Sequence, residues 1–418
     1  MTDTNTDRRR AEAIDAVKDR LEYPKYEDGS PNYAKGPIKK PASLEAILKY
    51  DPYFWRGLRY NKFAGIVEWQ GELITDVDIT AIRLAVSDTY NYVAGVAATS
   101  EMVTYTAHQH SYHPIVDYLD GLVWDGKPRI NQFLTEYATG EDTPLNHELG
   151  RRFMISCVAR VLRPGCKVDQ VLILAGPQGV GKSTFFRALA SDEWFSDSSL
   201  DIRNKDAYQS ITGNWIYEMA ELAAMRPRDA ETVKAFLSAQ EDRFRPAYGR
   251  NIVHQKRQVV FVGTTNEEEF LNDPTGARRF WPVKVSGRPR VDLVKQDRDQ
   301  LWAEATEAFR GGEHWHLVGN LNYDLSRTHK EYAVTDPWSR AITQWLAEAP
   351  KPPGISWTIG EILKAAVDVE IDKQNKAQSM RLGGALVALG WTKKRAKVDG
   401  VRANRWFPPN PEQVALAP

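Results

Sequence analysis

Apolar residues at helical spacing and a short run of consecutive apolar residues mark the centre of the chain. Residues 147–163 are apolar at helical spacing and predict a helix. The apolar run 171–175 predicts a buried strand, and residues 184–190, which contain few turn formers, predict a second helix. Residues 176–183 therefore connect a buried strand to the N-terminus of a helix.

Further strands and helices are predicted downstream of this unit. The strand candidates are residues 215–217, 243–245, 259–262 and 281–285, and the helical segments are residues 229–239 and 291–309. Strands that alternate with helices after such a loop predict an α/β fold, with a sheet covered by helices on both faces.

Changes in composition along the chain predict four segments. They are a loose polar arm at residues 1–43 with a possible short helix near 11–21, an α+β, mainly helical domain at 44–150, the α/β domain at 151–325, and a small domain at 326–418. Within the last segment, a Pro/Gly-rich stretch at 349–354 is typical of a linker.

The composition is that of an ordinary globular protein. The 418 residues carry a formal net charge of zero, so any affinity for nucleic acid has to come from local basic patches. Cys157 and Cys166 are the two cysteines, which gives neither a disulfide framework nor a zinc ribbon. Without a long apolar stretch or a signal-peptide pattern, we expect a cytoplasmic protein.

Residues 176–183 match the phosphate-loop pattern G-x-x-x-x-G-K-[ST] in the strand–loop–helix context that its mechanism requires. The predicted phosphate-binding residues are Gly176, Pro177, Gln178, Gly179, Val180, Gly181, Lys182, Ser183 and Thr184. Lys182 is expected to reach the β- and γ-phosphates, and the Ser183 hydroxyl is expected to ligate Mg²⁺. The loop therefore predicts ATP or another nucleoside triphosphate, with Mg²⁺, as ligand and cofactor.

Acidic and amide side chains follow two of the predicted strands. Glu218 ends an apolar strand and Glu221 lies one helical turn further on. One of these carboxylates is expected to hold Mg²⁺ and the other to polarise the attacking water, with the assignment left open. Asn266 ends the next strand, where its amide could contact the γ-phosphate or the water.

Arg278 and Arg279 stand in tandem after the turn-forming residues 273–276. An arginine here could enter the site of a neighbouring subunit as an arginine finger, because its planar fork matches phosphate oxygens. Structural ion pairing is the alternative. A GTPase is excluded because no N-K-x-D sequence follows.

An ordered series of short motifs adds to the phosphate loop. They are residues 51–54, 60–61, 112–114, 118–129, 164–169, 218–221, 234–238, 242–246, 264–266 and 276–282. With these motifs the chain resembles the virulence-associated protein E family of phage and mobile-element proteins, related to superfamily-3 helicases of the AAA+ class. The resemblance covers about residues 50–310 and implies an AAA+-type ATPase domain.

The resemblance also implies an activity and partners. It implies a homo-oligomeric ring, with six subunits expected, that moves on single-stranded DNA during replication of a phage or mobile element in a bacterial host, with replication proteins as possible partners. It places a pore hairpin at residues 242–257, whose expected DNA contacts are Arg243, Arg245, Tyr248, Arg250, Asn251, His254, Lys256 and Arg257. Primase activity is not implied, because the first 150 residues contain neither zinc-ligand cysteines nor a clear paired-carboxylate catalytic motif.

The tail at residues 391–406 is basic and predicts a hairpin around a turn at Asp399 and Gly400. After two predicted helices, it favours a winged-helix-like module whose wing contacts DNA phosphates. The predicted contacts are Lys393, Lys394 and Arg395. A small helical cap with a basic surface is the alternative.

Two other functions and one metal site have to be considered. An ATP-dependent regulator or loader could bind DNA without unwinding it. A small-molecule P-loop kinase would need neither the tandem arginines nor the basic hairpin. His108, His110 and His113 are close in sequence, but without a carboxylate or cysteine at suitable spacing they do not favour a metal site.

Overall fold

The computed structural model describes most of the chain. The described residues are 4–204, 207–219, 230–244, 252–267, 277–319, 321–332, 336–348, 356–398 and 401–409. Compact units are formed by residues 1–268 with 273–330, and by residues 269–272 with 331–418.

The N-terminal region combines helices with a small sheet. Its helices are α1 (Thr4–Lys18), α2 (Pro41–Tyr50), α3 (Pro52–Gly57), α4 (Asp76–Tyr90) and α5 (Val96–Gln109), and its strands are β1 (Leu58–Asn61), β2 (Ile66–Trp69), β3 (Glu72–Leu73) and β4 (Ser111–Tyr112). The strand order is β3-β2-β1-β4, with β1 antiparallel to β2 and parallel to β4.

Within the segment expected to be a loose arm, residues 1–43, the short helix expected near residues 11–21 is present and the chain around its end packs against the core. Residues 4–18 form α1, and Val17 and Leu21 are buried in one cluster with Leu44 of α2. These two apolar side chains, four positions apart, lie on the same side of the chain and hold the polar segment against the core.

The α/β region contains the predicted strand–loop–helix unit. Its helices are α6 (Pro114–Gly121), α7 (Pro144–Leu162), α8 (Lys182–Ala190), α9 (Ala207–Ser210), α10 (Ala230–Ser238), α11 (Val291–Arg310) and α12 (Leu321–Glu331). Its strands are β5 (Val171–Ala175), β6 (Phe195–Ser196), β7 (Ile216–Glu218), β8 (Glu241–Phe244), β9 (Val253–Lys256), β10 (Val260–Thr265) and β11 (Phe280–Lys284).

Within the described residues the central sheet has five parallel strands in the order β11-β5-β10-β7-β6. The α/β class with a parallel sheet is therefore confirmed. The strand candidate at residues 243–245 overlaps β8, but β8 is not part of the central sheet: it pairs with β9 in a separate antiparallel hairpin, where Glu241 and Arg243 are exposed. The strand that completes the sheet is β6, which contains two residues.

A single core joins the sheet to the helices before and after it. Helix α7 begins at Pro144 beyond the Thr143 cap, and its buried residues pack in one cluster with those of β5, α8 and α11. The predicted domain boundary at residue 150 falls inside α7, so it does not separate two cores. Trp215 and Trp302 stack at 4.1 Å between ring centroids in this cluster.

The C-terminal unit has its own core. It contains α13 (Pro337–Glu348), α14 (Ile359–Val367), α15 (Lys376–Ala388) and a hairpin of β12 (Thr392–Val398) and β13 (Val401–Phe407). Trp391 and Trp406 are buried with Ile362 and Leu382. The tail hairpin predicted from the sequence is confirmed, and its two turn residues lie outside the described residues.

None of the helices in the described ranges has the length and apolarity that crossing a bilayer requires. In the same residues Cys157 and Cys166 are free thiols, and both are buried.

His329 predicts a pH dependence of stability. Its Nε2 lies 2.7 Å from the Phe280 carbonyl oxygen, and burial lowers the pKa of the imidazole below its ordinary value near 6.5. The unfolded chain therefore binds the proton more readily, and the free energy of unfolding, which is highest above about pH 6.5, falls as the pH drops below that value. His329→Gln keeps a donor and removes the titration.

Urea unfolding between about pH 8 and 5 is the measurement, because the slope of stability with pH counts the protons taken up on unfolding. The substituted protein is expected to lose less stability on acidification than the unaltered one. Parallel pH curves for the two proteins would show that His329 does not contribute.

Candidate functional site

The loop at 176–183 curls between β5 and α8. Gly179 and Gly181 have φ angles of 79° and 98°, a backbone region that glycine adopts freely, and Gly181 is the N-cap of α8. Side chains of other residues would strain this curl, which turns the first N–H groups of α8 toward the open side of the loop. Such N–H groups at a helix N-terminus suit an anion.

Lys182 is turned back onto its own loop. Its Nζ donates to the carbonyl oxygens of Gly176 at 2.8 Å and Pro177 at 2.7 Å. The side chain is buried, and desolvation lowers the pKa of the ammonium group while Glu218 opposes that effect. Because both partners are neutral carbonyl groups, a phosphate oxygen would be a stronger partner for this cation.

Glu218 ends β7 and is 2% exposed. Its Oε1 accepts hydrogen bonds from Ser183 Oγ at 2.9 Å and from Thr264 Oγ1 at 2.5 Å. Its Oε2 is buried and has no partner among the described residues. A carboxylate oxygen in that position suits a cation or a water molecule, because a buried acceptor without a partner is costly.

The end of a third strand, β10, places the amide of Asn266 next to the loop. β10 lies between β5 and β7 in the sheet, so its last residues, Thr264 and Thr265, and Asn266 directly after it lie beside the loop and the acid. Together with the loop they line a cavity of about 420 Å³, whose walls are Gln178, Gly179, Gly181, Lys182, Ser183, Thr184, Thr264, Thr265 and Asn266. This volume is in the range of small-molecule sites. Thr264, whose hydroxyl donates to Glu218, was not assigned a role from the sequence. The run of two threonines and an asparagine at the end of an apolar strand was the signal that could have identified it.

The tandem arginines differ in their surroundings. Arg279 Nε lies 3.2 Å from Ser238 Oγ and 3.4 Å from Asp169 Oδ2, and its side chain is 17% exposed. Arg278 is exposed, with neither a hydrogen bond nor an ion pair to the described residues. The structural ion pair that was the alternative for both residues is thus present at Arg279.

Several predicted residues fall outside the described residues. They are Glu221 near the acid, and Arg245, Tyr248, Arg250 and Asn251 in the hairpin. Their assigned roles stay predictions.

The described strands of the hairpin bring three of the predicted DNA contacts to the surface. Arg243 is 70% exposed, and both it and His254 bind Glu241, which lowers the pKa of that carboxyl. Lys256 is also exposed.

The prediction for Arg257 is corrected by the structure. Its guanidinium is fully buried, binds the Asp242 carboxylate and donates to the Phe236 carbonyl oxygen. A buried arginine with these partners fixes the base of the hairpin and cannot meet a DNA phosphate.

Residues earlier in the chain contact β9 and the segment that directly follows it. Gln255 Nε2 donates to the Phe63 carbonyl oxygen at 3.3 Å, and His113 Nε2 lies 2.7 Å from Gln258 Oε1. His108 stacks on Tyr60. His108 and His113 therefore serve in packing and hydrogen bonding.

His110 also serves in hydrogen bonding, because its Nδ1 contacts the Trp55 and Leu58 carbonyl oxygens. Across the described part of the chain, no group of three or more His, Cys, Asp or Glu residues is arranged to hold a metal ion.

The C-terminal hairpin carries the second set of cations. Lys393, Lys394 and Arg395 are exposed on β12, as predicted for phosphate contacts. The register opposes Lys397 to Arg402 and Arg395 to Asn404, which puts Arg395, Lys397 and Arg402 on one face. Lys397 and Arg402 were not assigned from sequence, and the alternation along the strands was the signal for them.

Residues 119–334 match a model of the virulence-associated protein E-like domain. No curated protein sequence is significantly similar to this one. The solved structures that resemble this one include an A form apo structure of the NrS-1 C-terminal region, residues 305–718, with a TM-score of 0.49 and 11% identity over 89% of this chain and 100% of that chain. A second apo structure of the same region gives a TM-score of 0.45 and 12% identity over 89% and 99%.

Proposed function

The chain belongs to the virulence-associated protein E-like family, and from this premise we propose that it hydrolyses ATP and uses the released free energy to move along single-stranded DNA. The observation that carries the proposal is that Lys182 and Ser183 line one cavity and that the Ser183 hydroxyl donates to the buried Glu218 carboxylate. A phosphate-binding lysine, a hydroxyl and a buried carboxylate are the groups that triphosphate hydrolysis requires.

The donor set fits Mg²⁺. The Ser183 hydroxyl and the Glu218 carboxylate are hydrogen-bonded to each other, and Glu218 Oε2 has no partner in the described part of the chain. Hard oxygen ligands of this kind, completed by waters and phosphate oxygens, are those that Mg²⁺ prefers. Bound there, the ion would neutralise charge on the phosphates.

Each protein group has a role that follows from its position. Lys182 exchanges the carbonyl oxygens of its loop for phosphate oxygens, and Glu218 polarises a water or orients the magnesium shell. Thr264 positions Glu218 through its hydrogen bond. Asn266, directly after the strand that lies between the loop strand and the acidic strand, contacts the γ-phosphate. Glu221 keeps its proposed role as the second acid.

We propose that hydrolysis takes place in a ring of AAA+ type, with six subunits expected, and that Arg278 is the arginine finger. Its exposed guanidinium is free of the ion pair that holds Arg279. Arg278→Ala is expected to lower the hydrolysis rate by about 10³-fold with ATP affinity retained, because the group acts in the neighbour's site. Hydrolysis and ATP binding are measured at a protein concentration that favours assembly.

A subunit-mixing experiment tests action between subunits. Mixing Arg278→Ala chains with Lys182→Ala chains puts an intact loop beside an intact Arg278 at some interfaces, so hydrolysis should partly return. Failure of the mixture to regain activity would contradict the finger assignment.

Arg279→Ala is expected to lower the free energy of unfolding by about 1 kcal/mol, because it removes a half-buried ion pair.

DNA binding is supported by two basic surfaces. The hairpin of β8 and β9 exposes Arg243, His254 and Lys256, which suits a phosphate backbone. In the C-terminal unit, α14 and α15 directly precede a basic hairpin, an order that supports a winged-helix-like DNA-binding module.

The proposed setting is DNA replication of a phage or mobile element in the cytoplasm of a bacterial host, with replication proteins as possible partners. A strand-displacement assay on a forked duplex tests the motor against the rival, an ATP-dependent regulator or loader. We expect ATP-dependent release of the labelled strand, and none from Lys182→Ala. ATP hydrolysis stimulated by DNA without displacement would favour the regulator.

A further inference from the structure

A second cavity adjoins the phosphate loop. It has a volume of about 340 Å³ and is lined by Thr184, Arg187, Ala188, Ser191, Asp192, Lys295 and Arg298. Thr184 also lines the cavity around the loop, so this residue is common to the two cavities. Helix α8 supplies one wall of the second cavity and α11 supplies the other.

The lining offers both donors and acceptors. Arg187 bonds Asp197 at 2.8 Å, and its guanidinium lies over the Phe195 ring at 4.8 Å, so it is held in place at the wall. Lys295 and Arg298 stand one turn apart on the opposite wall. Asp192, two residues beyond the end of α8, adds an exposed carboxylate that lies 3.7 Å from the Arg187 guanidinium.

Ser191 in the same wall has a strained backbone. Its φ of 73° and ψ of 162° lie in a region that is essentially restricted to glycine. Ser191 directly follows α8 and turns the chain toward Asp192. Strain of this kind at a non-glycine residue often accompanies a functional site.

Resting on the proposed function, we infer that this second cavity holds the base and ribose of the nucleotide whose phosphates occupy the loop. A nucleotide bound by its phosphates must place its nucleoside beside the loop, and this cavity shares Thr184 with the phosphate cavity. Arginine planes can stack on a base, while lysine donors and the Asp192 carboxylate can bind base nitrogens and ribose hydroxyls.

Comparison of two ligands tests the inference. Mg²⁺-ATP reaches both cavities, whereas inorganic tripolyphosphate with Mg²⁺ reaches the loop alone. Lys295→Ala and Arg298→Ala are each expected to weaken ATP binding about tenfold and to change tripolyphosphate affinity by less than about twofold, because a hydrogen bond from a charged donor is lost for ATP alone. Arg310→Ala, at the far end of α11, is the matched control and should change neither affinity.

Calorimetric titration gives both dissociation constants. Equal weakening of both ligands would overturn the inference, because it would mean that the cations act on the phosphates. Unchanged ATP affinity in both variants would overturn it as well. A wild-type protein that binds neither ligand would contradict the proposed function itself, which separates that failure from failure of the inference.

Discussion

Replacement of Lys182 by alanine is expected to lower the rate of ATP hydrolysis by about 10³-fold or more, which corresponds to about 4 kcal/mol of transition-state stabilisation. The side chain is buried in the loop and its ammonium is held only by two carbonyl oxygens. Nothing else in the described cavity wall carries a positive charge. The loss should therefore appear in kcat and in nucleotide affinity together.

The control for this variant is Lys18→Ala, which removes a lysine that is 40% exposed on α1. It should keep the wild-type rate. Thermal unfolding of both variants shows whether the fold is retained, since Lys182→Ala loses two hydrogen bonds within the loop. Wild-type turnover in folded Lys182→Ala protein would remove the loop from the proposed mechanism.

Replacement of Glu218 by glutamine is expected to lower hydrolysis by about 10²- to 10³-fold while ATP remains bound, because the amide keeps the shape and loses the charge. Glutamine can still accept the hydrogen bonds from Ser183 and Thr264. The variant should thus hold ATP in a stable complex, which a filter-binding or single-turnover measurement detects.

Glu101→Gln is the matched control, because Glu101 is an exposed carboxylate on α5. It should leave hydrolysis unchanged. Retention of full activity in Glu218→Gln would assign the essential acid to another residue, and Glu221 is the sequence-predicted alternative.

The sequence predicts this site well where the signal is local. The phosphate loop, its strand and its helix form one continuous segment, so the pattern at 176–183 implies the geometry directly. Glu218 and Asn266 could be predicted as neighbours of the loop because Glu218 ends β7 and Asn266 directly follows β10, and the parallel sheet brings those strand ends together. The short strand β6 gave no pattern, since two residues carry no periodicity.

Electrostatic environment was harder to predict, because it depends on contacts distant in sequence. Arg243 and Arg257 are both cations of the same predicted hairpin, yet Arg243 is exposed while Arg257 is buried on Asp242. Arg278 and Arg279 are adjacent, and Asp169, more than 100 residues earlier, engages one of them. Charge patterns in sequence cannot separate such pairs.

The same limit applies to the second cavity. Lys295 and Arg298 belong to an amphipathic helix that the sequence predicted correctly, but only the fold brings them beside Thr184. Likewise, the polar N-terminal arm is fixed by two apolar side chains whose partner cluster forms from residues beyond position 43.

The central claim is that ATP hydrolysis is coupled to single-stranded DNA in an assembly of this chain. The ATP hydrolysis rate per chain, measured with and without single-stranded DNA over a range of protein concentrations, tests it most directly. The account predicts a rate that rises with protein concentration and that single-stranded DNA increases further. A rate that neither DNA nor protein concentration changes would contradict it.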